Sequence, residues 1–208
     1  MIKKALTFLF YFHSLLSFSQ GTTYLKVHFL YGSKPLNKYA DSEPLWFGGI
    51  HGGHVGIEAD SGKIIDFSPQ GKFHVIENDY FRHSKYSIKS PDHFYGILGG
   101  NPDSVKKAVV YIPVTKVRRD QFDSVTTRYL KQTPYDYAFF GMRCSAAAYD
   151  ILSKVNIVKA YSRQGTYKRI FYPKLLRRQL LKMAAKNSWP VERHSGSARR
   201  RWEKDGKL

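Results

Sequence analysis

The stretch from Gly52 to Phe67 constrains this chain more than any other. His54 to Ala59 alternates, Asp60-Ser61-Gly62 is a turn signal, and a second strand-like run follows from Lys63 to Phe67. Two such runs about a glycine-bearing turn predict an antiparallel β-hairpin. Gly62 suits the left-handed last position of a three-residue loop. In Gly52-Gly53-His54-Val55-Gly56-Ile57, Val55 and Ile57 point to one sheet face, and His54 with Gly56 to the other. A three-residue loop places Asp66 on the face of His54, and a two-residue loop places it on the opposite face. Glu58 shares the His54 face through its own strand.

The rest of the chain reads as an α+β domain. Thr23 to Leu30 and Ala108 to Val114 predict strands, with shorter ones at Phe73 to Ile76 and Tyr95 to Leu98. Thr115 can cap a helix running to Lys131, with Phe122, Val125, Tyr129 and Leu130 on one face. A second helix opens near Cys144 and carries Ala147, Ala148, Ile151, Leu152 and Val155 as one stripe. A third, opened by Pro173, sets Leu175, Leu176, Leu180 and Met183 against a basic flank of Arg177, Arg178, Lys182 and Lys186. One domain over 20–186 follows, an antiparallel sheet packed on helices. Residues 187–208 read as a polar, basic tail.

Residues 1–19 have the three parts of a secretory signal: Lys3 and Lys4, an apolar run to Leu16, and Ser17-Phe18-Ser19 as a small-x-small cleavage site. The apolar run is too short for a comfortable membrane span, so the mature chain is expected to be exported without one, to the periplasm or beyond. A hydrophobic share of 42% and an aromatic share of 15% exclude a disordered protein. The chain has 34 Lys+Arg against 16 Asp+Glu, a formal charge of +18. From Arg163 to Leu208 alone there are 14 Lys+Arg and three acids. On an exported chain this excess points to an anionic membrane surface or polymer rather than nucleic acid, or simply to a solvated basic face.

Cys144 is the sole cysteine, which excludes an intramolecular disulfide and a thiolate zinc cluster. A lone cysteine can be merely a small buried hydrophobe. Its place at a helix start argues for chemistry instead, because unpaired N–H groups and the helix dipole stabilise a thiolate and can hold an oxyanion. Arg143 adds a positive neighbour. Among eight histidines, His54 is the best base, and Asp66 can orient it, with Glu58 as the alternative. His51 and His54 also form an H-x-x-H pair, but residues three apart on a strand face opposite ways, so neither a metal nor another cofactor is expected. No G-x-G-x-x-G or P-loop pattern is present.

The segments Gly52-Gly53-His54-Val55-Gly56-Ile57, Ile64-Ile65-Asp66 and Tyr135-Asp136-Tyr137, followed by Arg143-Cys144-Ser145-Ala146-Ala147-Ala148-Tyr149, resemble the circularly permuted branch of the NlpC/P60 superfamily. The resemblance covers roughly Leu45 to Val155. That branch has a papain-like fold and includes YiiX-like hydrolases and, more distantly, the lecithin:retinol acyltransferase group. The resemblance implies Cys144 as nucleophile, His54 as base and Asp66 as orienter, acting on peptide, peptidoglycan or acyl substrates. The Cys144 backbone N–H, with the Tyr135 hydroxyl, would hold the oxyanion. Many relatives have Asn or Tyr where this chain has Arg143, and often Glu or His where it has Asp66. An acyltransferase and a non-catalytic basic binding protein on the same scaffold remain the alternatives.

Overall fold

The computed structural model describes residues 23–46, 49–80 and 82–206; the secretory signal expected over 1–19 lies outside them. Strands β1 (Thr23–Leu30), β3 (His54–Glu58), β4 (Ile64–Pro69), β6 (Ser84–Lys89), β7 (Lys106–Val114) and β9 (Val191–Ser195) form one antiparallel sheet in the order β6-β4-β3-β1-β7-β9. Two small sheets flank it. β2 (Ser33–Pro35) pairs with β10 (Arg200–Trp202), and β5 (His74–Ile76) pairs in parallel with β8 (Ala138–Phe140). The helices are α1 (Pro91–Gly96), α2 (Lys116–Lys131), α3 (Cys144–Lys154), α4 (Arg163–Arg169) and α5 (Pro173–Asn187). The fold is therefore mixed α+β, an antiparallel sheet packed against helices.

Alternation sorts the sheet into two faces. Leu25, Val27, Phe29, Val55, Ile57, Ile65, Phe67, Ala108, Val110 and Ile112 join the main core with α2, α3 and α5. The start of α3 is built of small residues, Cys144 to Ala148, all buried against that core. Leu30 and Ile64 form a second cluster with Trp46, Phe94 and Tyr95, so α1 covers the other face. Gly56 belongs there. A Cβ on it would come within 2.7 Å of Phe94, so this glycine admits the ring of α1.

The hairpin pairs Gly56 with Asp66 and Glu58 with Ile64, the register of a three-residue loop, and Gly62 has φ of +77°. The side chain of Thr115 accepts a hydrogen bond from Arg118 N at the start of α2. Tyr95 to Leu98 is not a strand. Ser90 caps His93 N and Pro91 occupies the first turn, so Tyr95 sits in α1.

The segment read as a basic tail is part of the fold. β9 lies beside β7, β10 beside β2, and Trp202 packs edge-on against Trp46. Arg177, expected on an exposed basic flank, is fully buried. It stacks 3.7 Å from the Tyr31 ring and bonds Glu203 and Asp205, each at 2.7 Å. Arg200 is likewise buried against Trp46, bonded to Ser33 and Glu43. The acids that neutralise these cations come from distant segments, which a running charge count cannot register.

Candidate active site

Cys144 is the first residue of α3. The capping residue Arg143 is extended and its side chain caps no helical N–H, so the first-turn N–H groups are free of a side-chain cap. Two contacts place this helix start. Met142 N donates to Glu77 Oε1 at 2.7 Å, and Gly141 lets Glu77 approach to where a Cβ would clash. Asp136 accepts from the backbone N–H groups of Asn78 and His83 and bonds the His74 ring, tying the loop before Cys144 to the segment around β5.

His54 opens β3, at the end of the sheet where α3 begins. Its ring packs 5.4 Å from Phe94. His54 Nε2 bonds Asp66 Oδ2 at 2.7 Å, which leaves the other ring nitrogen for Cys144, the neighbour that most raises the imidazole. Asp66 is buried, yet every bond it makes favours its charge: Oδ1 accepts from Ser87 at 2.8 Å and from Lys89 at 2.5 Å. Burial pushes the Asp66 carboxyl up, but His54 and Lys89 carry it below its ordinary value. Ser87 and Lys89 went unnoticed in the sequence, although their spacing of two puts both on one face of β6.

The thiol and imidazole hold each other charged. Burial would raise the Cys144 thiol, but the charge and hydrogen bond of His54, then Arg143 and Tyr137, lower it. Burial would lower His54, but Cys144 and Asp66 raise it to about 9. Both shifts favour a thiolate–imidazolium pair at neutral pH.

Glu58 does not reach His54. It bonds Lys26 Nζ at 2.7 Å and His28 Nε2 at 2.9 Å, and these contacts hold its carboxyl at about 2. His28 was not singled out from the sequence; its Nδ1 bonds the Tyr95 hydroxyl. Tyr135 is also elsewhere. It is buried, its hydroxyl bonded to the Tyr86 hydroxyl and donating to the Asp150 carboxylate at 3.5 Å, and its ring meets Phe67 edge-on. Tyr137, two residues on, is the tyrosine beside the thiol, and both Cys144 and Arg143 act on its hydroxyl. Tyr135 lies in the bend before β8 and not in a strand, so the rule that residues two apart share a face does not hold here, and the sequence alone does not say which hydroxyl reaches Cys144.

A cleft of about 480 Å³ opens over this group. His51, Gly52, Gly53 and His54 line it together with Tyr137, Phe139, Arg143 and Tyr172. Phe73, Ile97 and Leu98 complete a largely apolar wall. His51 lies in the short turn Gly49–His51, not in a strand, and its ring meets Tyr172 at 5.9 Å. Among the described residues, no group of three or more His, Cys, Asp or Glu side chains is placed to hold a metal ion, and no helix is long and apolar enough to cross a membrane. Comparison with protein-family models, curated proteins and solved structures gives no match.

Proposed function

We propose that this chain is an exported thiol hydrolase with the papain-like architecture of the permuted NlpC/P60 enzymes, cleaving amide, peptide or acyl bonds of cell-envelope material. One observation carries the reading: Cys144 opens a helix beside His54, whose Nε2 lies 2.7 Å from the buried Asp66 carboxylate, at an apolar cleft that His54 and Arg143 line. Strongly perturbed, mutually charged groups in a cleft are the usual signature of chemistry rather than of packing.

The reaction follows from these places. The Cys144 thiolate attacks the substrate carbonyl carbon and the carbonyl π electrons move to oxygen. The Cys144 backbone N–H and the Tyr137 hydroxyl face that developing charge. Collapse of the tetrahedral intermediate leaves a thioester and expels the amine or alkoxide, which takes the proton of the His54 imidazolium. A water molecule, losing a proton to neutral His54, then attacks the thioester, releasing the acid and restoring the thiolate–imidazolium pair. Asp66 holds the ring with its Nε2 proton inward on the carboxylate, so that the other nitrogen serves the sulfur.

The basic binding-protein alternative rests on exposed charge, and the burial of Arg177 and Arg200 in ion pairs removes two of its cations. The test is direct. Cys144→Ala and His54→Ala should each abolish labelling by an activity-based thiol probe while the thermal transition persists. Equal labelling of His54→Ala at neutral pH overturns the proposal.

A further inference from the structure

Arg143 is held unlike the buried stacked arginines Arg177 and Arg200. Its guanidinium carbon lies 5.5 Å from the Phe139 ring centre, 4.9 Å from Phe171 and 5.5 Å from Tyr172, a cage of three aromatic faces. Arg177 and Arg200 are stacked too, but their charge is met by Glu203, Asp205 and Glu43. Among the described residues no carboxylate pairs with Arg143, and its Nε and Nη1 have no hydrogen-bond partner. Buried donors without a partner are unfavourable, and an anion arriving beside them is bound correspondingly well. Arg143 also lines the cleft, next in sequence to the nucleophile.

Resting on the hydrolase reading, we propose that Arg143 is the anion receptor of the cleft: the substrate carries a carboxylate or phosphate oxyanion close to the bond cleaved. The aromatic cage fixes the guanidinium plane with little loss of side-chain freedom on binding, and Phe73, Phe139 and Tyr172 take the apolar part of the same molecule. The cleft, at about 480 Å³, admits a group of small-molecule size.

Two alkylating agents isolate the effect. Iodoacetate and iodoacetamide deliver the same carbon to sulfur and expel the same iodide, and only the first carries a carboxylate. Their rate ratio at Cys144 should exceed that of free cysteine by about tenfold, the worth of one charge-assisted contact. Arg143→Met, which keeps the stem among the rings, should lose most of that gain, the remainder being owed to the His54 imidazolium, and Arg143→Lys should keep a larger part of it. Protection by succinate but not inorganic phosphate assigns a carboxylate, and the reverse assigns a phosphate. A wild-type ratio equal to that of free cysteine overturns the inference, as does an unchanged ratio in Arg143→Met. A Cys144 that neither reagent alkylates contradicts the hydrolase reading instead. Calorimetry on the Cys144→Ala protein then decides: succinate or phosphate binding that Arg143→Met abolishes supports the receptor, and no binding of either overturns it.

Discussion

His54 Nε2 and Asp66 Oδ2 stand 2.7 Å apart across a hairpin whose register pairs Gly56, not His54, with Asp66. The contact is therefore diagonal, and it exists because the loop closes with three residues. A two-residue loop would turn Asp66 to the opposite face.

Asp66→Asn tests what that contact does. The amide keeps the shape but loses the charge that stabilises the imidazolium, and it can present the wrong group to Nε2. Turnover should fall by about 10²- to 10⁴-fold, as for orienting carboxylates elsewhere. The rate of Cys144 alkylation at neutral pH should fall with it. Turnover within about threefold of wild type would remove Asp66 from the mechanism.

Glu58→Gln separates the two carboxylates on that sheet face. The change leaves His28 and Lys26 short of a charged partner, so stability at neutral pH should drop by about 2 kcal/mol. The Glu58 carboxyl is lowered from its ordinary value to about 2, so its contribution is present above about pH 4.5 and fades as pH falls through about 2. Denaturant melts at pH 7 and pH 2 should therefore show a deficit that closes in acid. The Cys144 alkylation profile should match wild type. A deficit persisting at pH 2, or a shifted profile, contradicts this assignment.

Paired phenylalanine variants separate the tyrosines. Tyr137→Phe removes the hydroxyl on which Cys144 and Arg143 act, and turnover should fall by about tenfold or more. Tyr135→Phe removes a hydroxyl from the Tyr86–Asp150 network, so it should cost about 1–2 kcal/mol of stability and spare turnover. The opposite pattern would restore Tyr135 to the site.

Much of this site was legible because local pattern determines it. Alternation fixed the faces of β3, and the apolar stripe Ala147, Ala148, Ile151, Leu152 and Val155 marked the helix that Cys144 opens. Long-range pairing was not legible. Nothing near Asp66 in sequence announces Lys89, and nothing near Arg177 announces Glu203 or Asp205, which meet it only after β9 and β10 fold back. The same blindness made residues 187–208 read as a solvated tail and Tyr135 read as a site residue.

The C-terminal strands accordingly carry a stability prediction. Glu203→Gln leaves the buried Arg177 guanidinium short of one of its two carboxylates and should cost about 3 kcal/mol. Removing 188–208 should abolish the cooperative thermal transition, because β9, β10 and both acids leave together. A truncated chain that melts like the full one would mean the segment is dispensable.

The central claim is a thiolate held by His54, and the pH dependence of iodoacetamide alkylation, mapped to Cys144 by mass spectrometry, tests it most directly. The lowered thiol and the His54 value of about 9 bound a window in which thiolate and imidazolium coexist. Alkylation should already be fast well below the ordinary thiol value of about 8.5. Turnover should follow the same rise and then decline as His54 loses its proton near pH 9. In His54→Ala the alkylation midpoint should move up, because the imidazolium, the largest of the groups opposing burial of the thiol, is gone. A wild-type protein that titrates as an ordinary thiol, or a His54→Ala profile superimposable on it, would contradict the account.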